Sequence, residues 1–311
     1  MPASLRFAAL GECMIELRHR DDQTLALGSG GDTLNCAVYL ARLVVDRGVH
    51  VDYVTALGDD PYSDALLAQW RAERVGTDHV LRIPGRLPGL YLIRTDPKGE
   101  RTFYYWRSEA AARQMLAGER AHSLTAALAG YDMLYVSGIT LSILDDAQRT
   151  SLLALLAAAR QQGAKVAFDG NFRPRGWPDA DVARRWFEAT LRHATIALPT
   201  FDDEQALFGD ATPEATAARL AGYGVREIAI KLGRAGVLLA GDGTCEAIAT
   251  EPVEAIDTTA AGDSFNGAYL AARLLGREPR LAAHAGNRLA GAKVRHPGAI
   301  MPVAAMPDLG L

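Results

Sequence analysis

Short apolar runs alternate with longer amphipathic stretches along most of the chain. The short runs predict β-strands at residues 5–10, 51–57, 133–137, 165–169, 195–199 and 226–232. The longer stretches have the apolar spacing of helices and predict them at residues 33–45, 62–73, 145–161, 181–192 and 265–275. Strands that alternate with helices in this way are typical of a mainly parallel sheet covered by helices. The pattern therefore predicts an α/β fold.

One segment departs from this alternation. Residues 90–106 (LYLIRTDPKGERTFYYW) contain two strand-like runs on either side of Asp96-Pro97-Lys98-Gly99, which is typical of a β-hairpin. The chain shows neither an internal repeat nor a low-complexity linker. We therefore predict a single domain over residues 1–311.

Composition and charge narrow the class of protein. The chain has 311 residues, of which 49% are hydrophobic and 23% charged, so a large core can form. The net charge is −4 and no basic stripe is present, which argues against a nucleic-acid partner. No apolar stretch reaches membrane length, and the N-terminus lacks a basic region followed by an apolar run. We therefore expect a cytoplasmic protein without a membrane partner.

The three cysteines do not indicate a disulfide framework or a zinc site. Cys13, Cys36 and Cys245 are widely spaced, odd in number and form no CxxC pair. We expect all three to be small buried apolar side chains.

The segment most informative about function is Asp257-Thr258-Thr259-Ala260-Ala261-Gly262-Asp263-Ser264-Phe265. Three small residues precede a carboxylate and a predicted helix. A helix N-terminus exposes unpaired N–H groups with a partial positive charge, and small side chains let a phosphate approach them closely. A carboxylate at such a site can accept a proton from a hydroxyl that attacks the phosphate. The segment predicts phosphoryl transfer, although an ordinary helix start has the same residue types.

The same segment resembles the second signature of the ribokinase-like (PfkB) sugar kinases, Asp-Thr-x-Gly-Ala-Gly-Asp. Ala260 replaces the first glycine, which we expect to be a mild departure because alanine is still small. The first signature resembles Gly30-Gly31-Asp32-Thr33-Leu34-Asn35-Cys36-Ala37, and Thr55-Ala56-Leu57-Gly58-Asp59-Asp60-Pro61 is similar to the strand and turn that follow. The matches span nearly the whole chain in family order. They imply a ribokinase-like sandwich with a small β-sheet lid, formed near residues 12–33 and 86–109, over the sugar site.

A nucleotide site is not indicated by either of two common phosphate-binding motifs. The chain has no GxxxxGK[ST] segment, and no GxGxxG follows the first predicted strand. Lys231-Leu232-Gly233-Arg234-Ala235-Gly236 does follow a predicted strand, and its glycines fit either an ordinary hairpin turn or a backbone close to a ligand. In the family that the chain resembles, this stretch lines the ATP site. The residues thereby implied to contact ATP are Asn171, Arg173, Lys231, Gly233, Gly236 and Asn287, the last on a late helix.

Residues 199–204 (PTFDDE) fall where the family often has an Asn-x-x-Glu motif that orders magnesium and its waters. The spacing gives Thr200 and Asp203, so one carboxylate is kept and the amide is lost. An acidic cluster at a helix start also serves as a cap. Because Mg²⁺ typically keeps several waters and uses few protein ligands, the resemblance implies Asp203 as a water-mediated partner.

Two arginines suggest the class of acceptor. Arg173, in Asp169-Gly170-Asn171-Phe172-Arg173-Pro174, follows an apolar strand, and open α/β sheets bind ligands at such strand ends. Arg107 ends the run Tyr104-Tyr105-Trp106-Arg107. Because a guanidinium binds a carboxylate through two parallel hydrogen bonds, two arginines near one small pocket suggest an acidic sugar.

Within the family, these segments together resemble the 2-keto-3-deoxygluconate kinases. The residues thereby implied to hold sugar hydroxyls are Gly31, Asp32 and Asn35. Those implied to bind the keto-acid end are Tyr91, Tyr104, Arg107 and Arg173. Asp263 would accept the proton of the terminal hydroxyl, and the backbone N–H groups of Ala260, Ala261, Gly262 and Asp263 would stabilise the charge on the phosphoryl group.

Other readings stay open. They are a kinase for fructose or 2-keto-3-deoxygalactonate, a non-catalytic sugar-acid sensor, and a nicotinamide-dependent oxidoreductase. The last is disfavoured because the first βα turn is not glycine-rich. The sequence does not give the oligomeric state, so a homo-oligomer is allowed.

Overall fold

The computed structural model describes residues 4–21, 23–95, 101–241 and 243–311. The predicted turn at Asp96-Pro97-Lys98-Gly99 lies outside the described residues. The strands found in the described residues are β1 (Leu5–Leu10), β2 (Met14–His19), β3 (Leu25–Gly30), β4 (Val49–Leu57), β5 (Val80–Arg82), β6 (Gly89–Thr95), β7 (Arg101–Trp106), β8 (Met133–Ser137), β9 (Lys165–Asp169), β10 (Ile196–Ala197), β11 (Glu227–Lys231), β12 (Val237–Gly241) and β13 (Thr244–Ile248).

The helices lie between and after these strands. They are α1 (Asp32–Leu43), α2 (Pro61–Ala72), α3 (Arg120–Ala127), α4 (Gly138–Ile143), α5 (Asp146–Gln161), α6 (Ala180–Leu191), α7 (Phe201–Phe208), α8 (Pro213–Gly222), α9 (Ala261–Leu274) and α10 (Pro279–Lys293). Among the described residues, no helix combines the length and the apolar character needed to cross a membrane.

The main sheet has the strand order β13-β12-β11-β10-β9-β8-β1-β4-β5 within the part of the chain that the structure describes. The strands from β5 to β11 run parallel, and β12 and β13 are antiparallel additions at one edge. Helices α1, α2, α9 and α10 supply apolar side chains to one face, and α3, α5, α6 and α8 to the other. The α/β fold class predicted from the sequence is confirmed.

A second, four-stranded sheet has the order β3-β2-β6-β7, and we call it the lid sheet. Strands β2 and β6 are parallel, while β3 and β7 pair antiparallel at the two edges. These strands lie within the segments 12–33 and 86–109 in which a lid was expected. Arg107, directly after β7, is bonded to Glu12, two residues after β1, so the end of β7 lies near the carboxyl end of β1.

Three details differ from the sequence predictions. The strand predicted at residues 195–199 is only Ile196–Ala197, although the Leu198 N–H still bonds the Phe168 carbonyl at 2.9 Å. The last predicted helix begins at Ala261 and not at residue 265. Cys245 is exposed on the edge strand β13, so its expected burial was wrong, whereas Cys13 and Cys36 are buried as expected.

Candidate active site

Strand ends and helix starts converge on one cavity of about 280 Å³ under the lid sheet. It lies at the carboxyl end of the parallel strands, where open α/β sheets bind ligands. The polar side chains that line its base, which we call the floor, are Asp32, Asn35, Asn171, Lys231 and Asp263. The structure thus brings together residues that are spread over more than two hundred positions of the sequence.

Ala260 to Asp263, which we call the anion loop, form the beginning of α9. Ala260 precedes the helix in a left-handed conformation, with φ 58° and ψ 20°, and Gly262 and Asp263 lie in the first turn. Left-handed backbone strains any residue with a Cβ. Replacing the family's glycine by Ala260 is therefore not the mild departure expected from side-chain size. The Ala261 N–H already bonds the Thr258 carbonyl at 3.2 Å, which leaves the N–H groups of Gly262 and Asp263 for an anion.

The Asp263 carboxylate is held by a second helix. Its Oδ2 accepts a hydrogen bond of 2.8 Å from Asn35 Nδ2 in α1. The two helices are in direct contact at Gly267, where an added Cβ would lie 2.8 Å from the Tyr39 Cβ and 2.9 Å from the Cys36 carbonyl oxygen. The close contact of α1 and α9 therefore fixes the position of the carboxylate.

The surroundings of Asp263 adjust its proton affinity. Desolvation by the surrounding protein and the negative charge of Asp32 raise the pKa of Asp263 to about 7, and the hydrogen bond from Asn35 opposes this rise. A carboxylate with a pKa near neutrality can take a proton from a hydroxyl at physiological pH. Geometry and pKa together suit Asp263 to act as a general base.

Asp32 is a second carboxylate at the floor, and it is buried. Its Oδ2 accepts from Asn171 Nδ2 at 2.7 Å and its Oδ1 from the Thr33 N–H at 2.8 Å. Burial raises the pKa of Asp32, and the bond from Asn171 partly offsets this. The preceding Gly31 lines the cavity, and a Cβ there would lie 2.0 Å from the Glu12 carbonyl oxygen. Gly31 is therefore required by the close approach of two backbone segments.

Lys231 is fixed beside the anion loop by a network that the sequence did not predict. Its Nζ donates to Asp169 Oδ2 at 2.7 Å and to Asn266 Oδ1 at 3.2 Å, and Asn266 donates to the same Asp169 oxygen at 2.6 Å. An added Cβ on Gly262 would lie 3.4 Å from the lysine Nζ. The ammonium therefore lies next to the place where an anion would bind, which favours a role toward phosphate.

Of the residues expected to contact a nucleotide, Asn171 and Lys231 belong to the floor, whereas Gly233, Gly236 and Asn287 lie outside it. Gly233 and Gly236 form the turn between β11 and β12, so the hairpin alternative for this stretch is present in the structure. Asn287, in α10, donates to the Ile248 carbonyl at 3.2 Å, and a Cβ on Gly236 would lie 2.1 Å from that same oxygen. Gly236 and Asn287 are thus neighbours, and Lys231 connects this region to the cavity.

The lid sheet presents aromatic side chains to the cavity on one face. The rings of Tyr91, Phe103 and Tyr105 have centroid separations of 6.0–6.4 Å, and Tyr91 donates to Glu16 at 2.5 Å. Tyr104 lies opposite Leu92 in the register and lines a larger groove of about 1800 Å³ outside the floor.

Tyr104 shares the larger groove with Arg107 and Arg173 but does not line the smaller cavity, because successive side chains of a strand point to opposite faces. Tyr105 occupies the position that was expected for Tyr104. The Arg107 guanidinium lies 6.0 Å from the centroid of the Tyr105 ring. Counting in steps of two from Arg107 would have identified Tyr105.

Arg107 faces the cavity but already has a carboxylate partner. Its Nη2 is bonded to Glu12, which is 2% exposed and follows the end of β1. Burial raises the pKa of Glu12, while the guanidinium opposes the rise. Glu12 was not predicted, since an acidic residue after a strand is not distinctive without knowledge of its partner. A guanidinium has five N–H donors, so the pair leaves donors for a ligand.

Arg173 and Asp203 form a pair at the rim. Arg173 Nη1 donates to the Phe172 carbonyl at 2.7 Å and lies 3.3 Å from Asp203, with the arginine side chain 57% exposed. Burial raises the pKa of Asp203 and the arginine opposes this. Across the described ranges, no three His, Cys, Asp or Glu side chains form a metal-binding group. One half-buried carboxylate fits Mg²⁺ only through waters and substrate phosphates.

Comparison with known proteins identifies relatives that match over nearly the whole length of both chains. The family model for pfkB family carbohydrate kinases matches residues 5–306. The chain is 44% identical to 2-dehydro-3-deoxygluconokinase of Escherichia coli K12 over 308 residues, covering 98% of this chain and 99% of that protein. It is also 44% identical to the protein of the same name from Dickeya dadantii over 304 residues, covering 96% and 98%.

A solved structure has the same fold. The crystal structure of an Escherichia coli protein described as a ribokinase II, in complex with ATP and Mg²⁺, superposes with a TM-score of 0.84. The two chains are 22% identical, and the match covers 98% of this chain and 97% of the other.

Proposed function

The chain belongs to the pfkB family of carbohydrate kinases, and we propose that it transfers the γ-phosphoryl group of ATP to the 6-hydroxyl of 2-keto-3-deoxygluconate. This acid is the 2-dehydro-3-deoxygluconate in the names of the two relatives, and the product is 2-keto-3-deoxy-6-phosphogluconate. The observation that carries the proposal is one cavity with Asp263 at a helix N-terminus below and a guanidinium, Arg107, on the lid side.

Phosphoryl transfer takes place at the floor. Asp263 accepts the proton of the sugar hydroxyl as its oxygen attacks the γ-phosphorus in line. The N–H groups of Gly262 and Asp263 and the ammonium of Lys231 stabilise the charge on the transferred group. Asp32 and Asn35 hold sugar hydroxyls and keep the acceptor oriented.

The lid and the rim recognise the acid. Arg107 and Arg173 pair with the carboxylate of the substrate, and Tyr91 and Tyr105 pack against its carbon chain. We assign the aromatic contact to Tyr105 and not to Tyr104, because Tyr105 and Arg107 share a face of the strand end. Enclosure of the substrate under the lid excludes water and so suppresses hydrolysis of ATP.

The nucleotide extends from the floor along Lys231 and the turn at Gly233 and Gly236 toward Asn287. Asp203 would hold waters of the magnesium ion that accompanies ATP, and Asn171 and Arg173 would contact the phosphates. The ion would supply neutralisation of the charge on the phosphates. A protein of the same fold has been solved in complex with ATP and Mg²⁺, which supports MgATP as the donor.

A substrate panel tests the proposal. The purified enzyme is given MgATP with 2-keto-3-deoxygluconate, 2-keto-3-deoxygalactonate or fructose, and ADP release is followed by a coupled assay. We expect the highest kcat/KM with 2-keto-3-deoxygluconate. A higher kcat/KM with fructose would contradict the acid assignment. Binding of the acid without turnover would identify a sensor, and binding of a nicotinamide cofactor in its place would identify an oxidoreductase.

We further propose that the partners of the enzyme are small molecules, a sugar acid and ATP, with no nucleic acid and no membrane. Because ATP is the donor, we place the protein in the cytoplasm. A homo-oligomer is compatible with this activity, and sedimentation of the purified protein gives its state.

A further inference from the structure

A lysine that the mechanism does not use is completely buried near the anion loop. Lys293, the last residue of α10, has an exposed fraction of 0%. Its Nζ donates to the Asp257 carbonyl at 2.9 Å and to the His296 carbonyl at 3.3 Å. A cation at a helix C-terminus is favoured by the carbonyl groups there, which explains how the charge is tolerated. Its bond to Asp257 ties α10 to the segment that leads into the anion loop.

Asp257 extends this connection. Its carboxylate accepts the N–H groups of Thr259 at 2.9 Å and of Gly298 at 2.8 Å. Burial opposes ionisation of this carboxylate, but the hydrogen bonds from Thr259 and Gly298 outweigh it and lower the pKa of Asp257. The N–H groups of Ile256 and Asp257 both bond the Val294 carbonyl, at 2.8 and 3.0 Å. The segment that leads into the anion loop is therefore held to α10 and to the turn after it by several independent hydrogen bonds. We call this set of hydrogen bonds the clamp.

The clamp lies directly before a strained residue. Ala260, three positions after Asp257, has the left-handed backbone that alanine avoids. Such a conformation persists only where the surrounding structure enforces it. If Ala260 relaxed, the N–H groups of the following residues would turn away from the cavity.

We propose that Lys293 is a positioning residue whose ammonium, through Asp257, keeps Ala260 left-handed and so aims the N–H groups of Gly262 and Asp263 at the transferred phosphoryl group. The inference rests on the proposed function in that its main readout is kcat with 2-keto-3-deoxygluconate. Lys293 touches no substrate and acts only through the backbone of the anion loop.

Two substitutions at Lys293 separate charge from volume. Lys293→Met keeps the length of the side chain, and Lys293→Ala leaves a space lined by carbonyl oxygens. We expect both to lower kcat by roughly tenfold or more while KM for the acid changes by less than about threefold, since the lost interaction acts in the transition state. Ammonium chloride, compared with sodium chloride at equal ionic strength, should restore kcat in Lys293→Ala. It should not restore kcat in Lys293→Met, where the side chain fills the space.

A second substitution tests the link to Ala260. Glycine populates the left-handed region without strain, so adding Ala260→Gly to Lys293→Met should restore part of the lost kcat. If Lys293 only supported the fold, kcat would fall only in proportion to the folded fraction, which circular dichroism measures. That result, or equal stimulation of the wild type and both variants by ammonium, would overturn the proposal.

Two further measurements apply if the Lys293 variants do not fold or if the wild type does not phosphorylate the acid. If neither Lys293 variant folds, Asp257→Asn weakens the same clamp and should show the same loss of kcat, with partial restoration by Ala260→Gly. Wild-type kcat in Asp257→Asn would then overturn the proposal. If the wild type does not phosphorylate the acid, the proposed function fails. The clamp is then tested by titration calorimetry of ATP and ADP binding. Lys293→Ala should weaken the binding of ATP more than the binding of ADP, and ammonium should restore the wild-type ratio of the two Kd values. A ratio unchanged by Lys293→Ala would overturn the proposal.

Discussion

The floor of the cavity and the lid sheet hold their polar groups in different ways. Asp32, Asn35 and Lys231 at the floor are 7%, 5% and 8% exposed, and each is hydrogen-bonded to a residue of another element. Tyr104 and Tyr105 on the lid sheet are 48% and 49% exposed. The floor is therefore assembled without a ligand, whereas the lid presents large surfaces that a ligand or a closing movement has to cover.

This difference in exposure agrees with the proposed roles of the two regions, phosphoryl transfer at the floor and substrate recognition at the lid sheet. Stabilising a developing charge needs groups that are already oriented, because reorientation during the reaction costs free energy. Recognition of one acid among similar sugars needs side chains that gain contacts only when that acid is bound. Changes at the floor should therefore lower kcat with every substrate, and changes on the lid should raise KM for the acid.

The largest effect is expected for Asp263→Asn. The amide oxygen can still accept the bond from Asn35 but cannot take the proton of the hydroxyl, so kcat should fall by roughly 10²–10⁴ while ATP still binds. Steady-state kinetics and ATP titration on the same preparation measure both quantities. Retention of more than about a tenth of wild-type kcat would remove Asp263 from this role.

The pH dependence should follow the same carboxylate. Because the pKa of Asp263 is raised to about 7 and the ionised form is the base, kcat/KM should rise through neutrality and level off above it. Below that point it should fall by about tenfold per pH unit. A profile flat from pH 5 to 8 would contradict this expectation.

Stability should change in the opposite sense. A carboxylate with a raised pKa in the folded state stabilises the fold below its unfolded pKa, and this stabilisation is lost as the pH rises through the folded pKa. Asp263→Asn should therefore melt above the wild type at pH 8, and the difference in melting temperature should shrink as the pH falls from 7 toward 4.

A smaller effect distinguishes the two faces of the lid. Tyr105→Ala removes a ring beside Arg107 and should raise KM for the acid by about 3- to 6-fold, the size of a partly exposed cation–π contact. Tyr104→Ala is the matched control, since its ring lies on the other face, and it should change KM by less than about twofold. Equal effects of the two substitutions would mean that strand alternation does not decide recognition.

The smallest effect concerns the strain at Ala260. Ala260→Gly relieves a left-handed alanine but makes the unfolded chain more flexible, so the free energy of unfolding should rise by only ~0.5–1 kcal/mol. Urea unfolding followed by fluorescence measures it. A lower stability of the variant would show that the φ of 58° carries no strain.

The fold was predictable because parallel strands and amphipathic helices leave periodic patterns. Helices α3 and α8 and strand β13 were not predicted, since they are short or lack a strong apolar period. The start of α9 was misplaced for a related reason. The sequence Ala260-Ala261-Gly262 has no apolar spacing, and a helix that begins with small residues cannot be recognised from periodicity.

The candidate site was predictable only where residues are adjacent in sequence. The anion loop and Arg107 stand in continuous motifs, so they could be named. The bond between Asn35 and Asp263 joins residues 228 positions apart, and the contact between Glu12 and Arg107 also depends on the tertiary fold. Glu12 could therefore be recognised as the partner of Arg107 only from the structure.

The most direct test of the central claim measures KM for 2-keto-3-deoxygluconate and for fructose in the wild type, Arg107→Ala and Arg107→Lys. A charge-assisted pair in a closed site is worth about 1.5–3 kcal/mol, so Arg107→Ala should raise KM for the acid by roughly 10- to 150-fold. Arg107→Lys should recover only part of this, since an ammonium lacks the fork geometry. KM for fructose and for ATP should stay nearly unchanged.

Two controls accompany this measurement. Arg107→Ala leaves the buried Glu12 carboxylate unpaired, so the double variant Glu12→Gln/Arg107→Ala and thermal melting of each protein separate lost recognition from lost stability. Arg86→Ala removes another arginine near the lid, one paired with the exposed Glu109, and should leave both KM values unchanged. A selective loss of the acid in Arg107→Ala is the result that the account predicts. Equal weakening of the acid and of fructose would contradict it, because Arg107 would then shape the lid without reading the carboxylate.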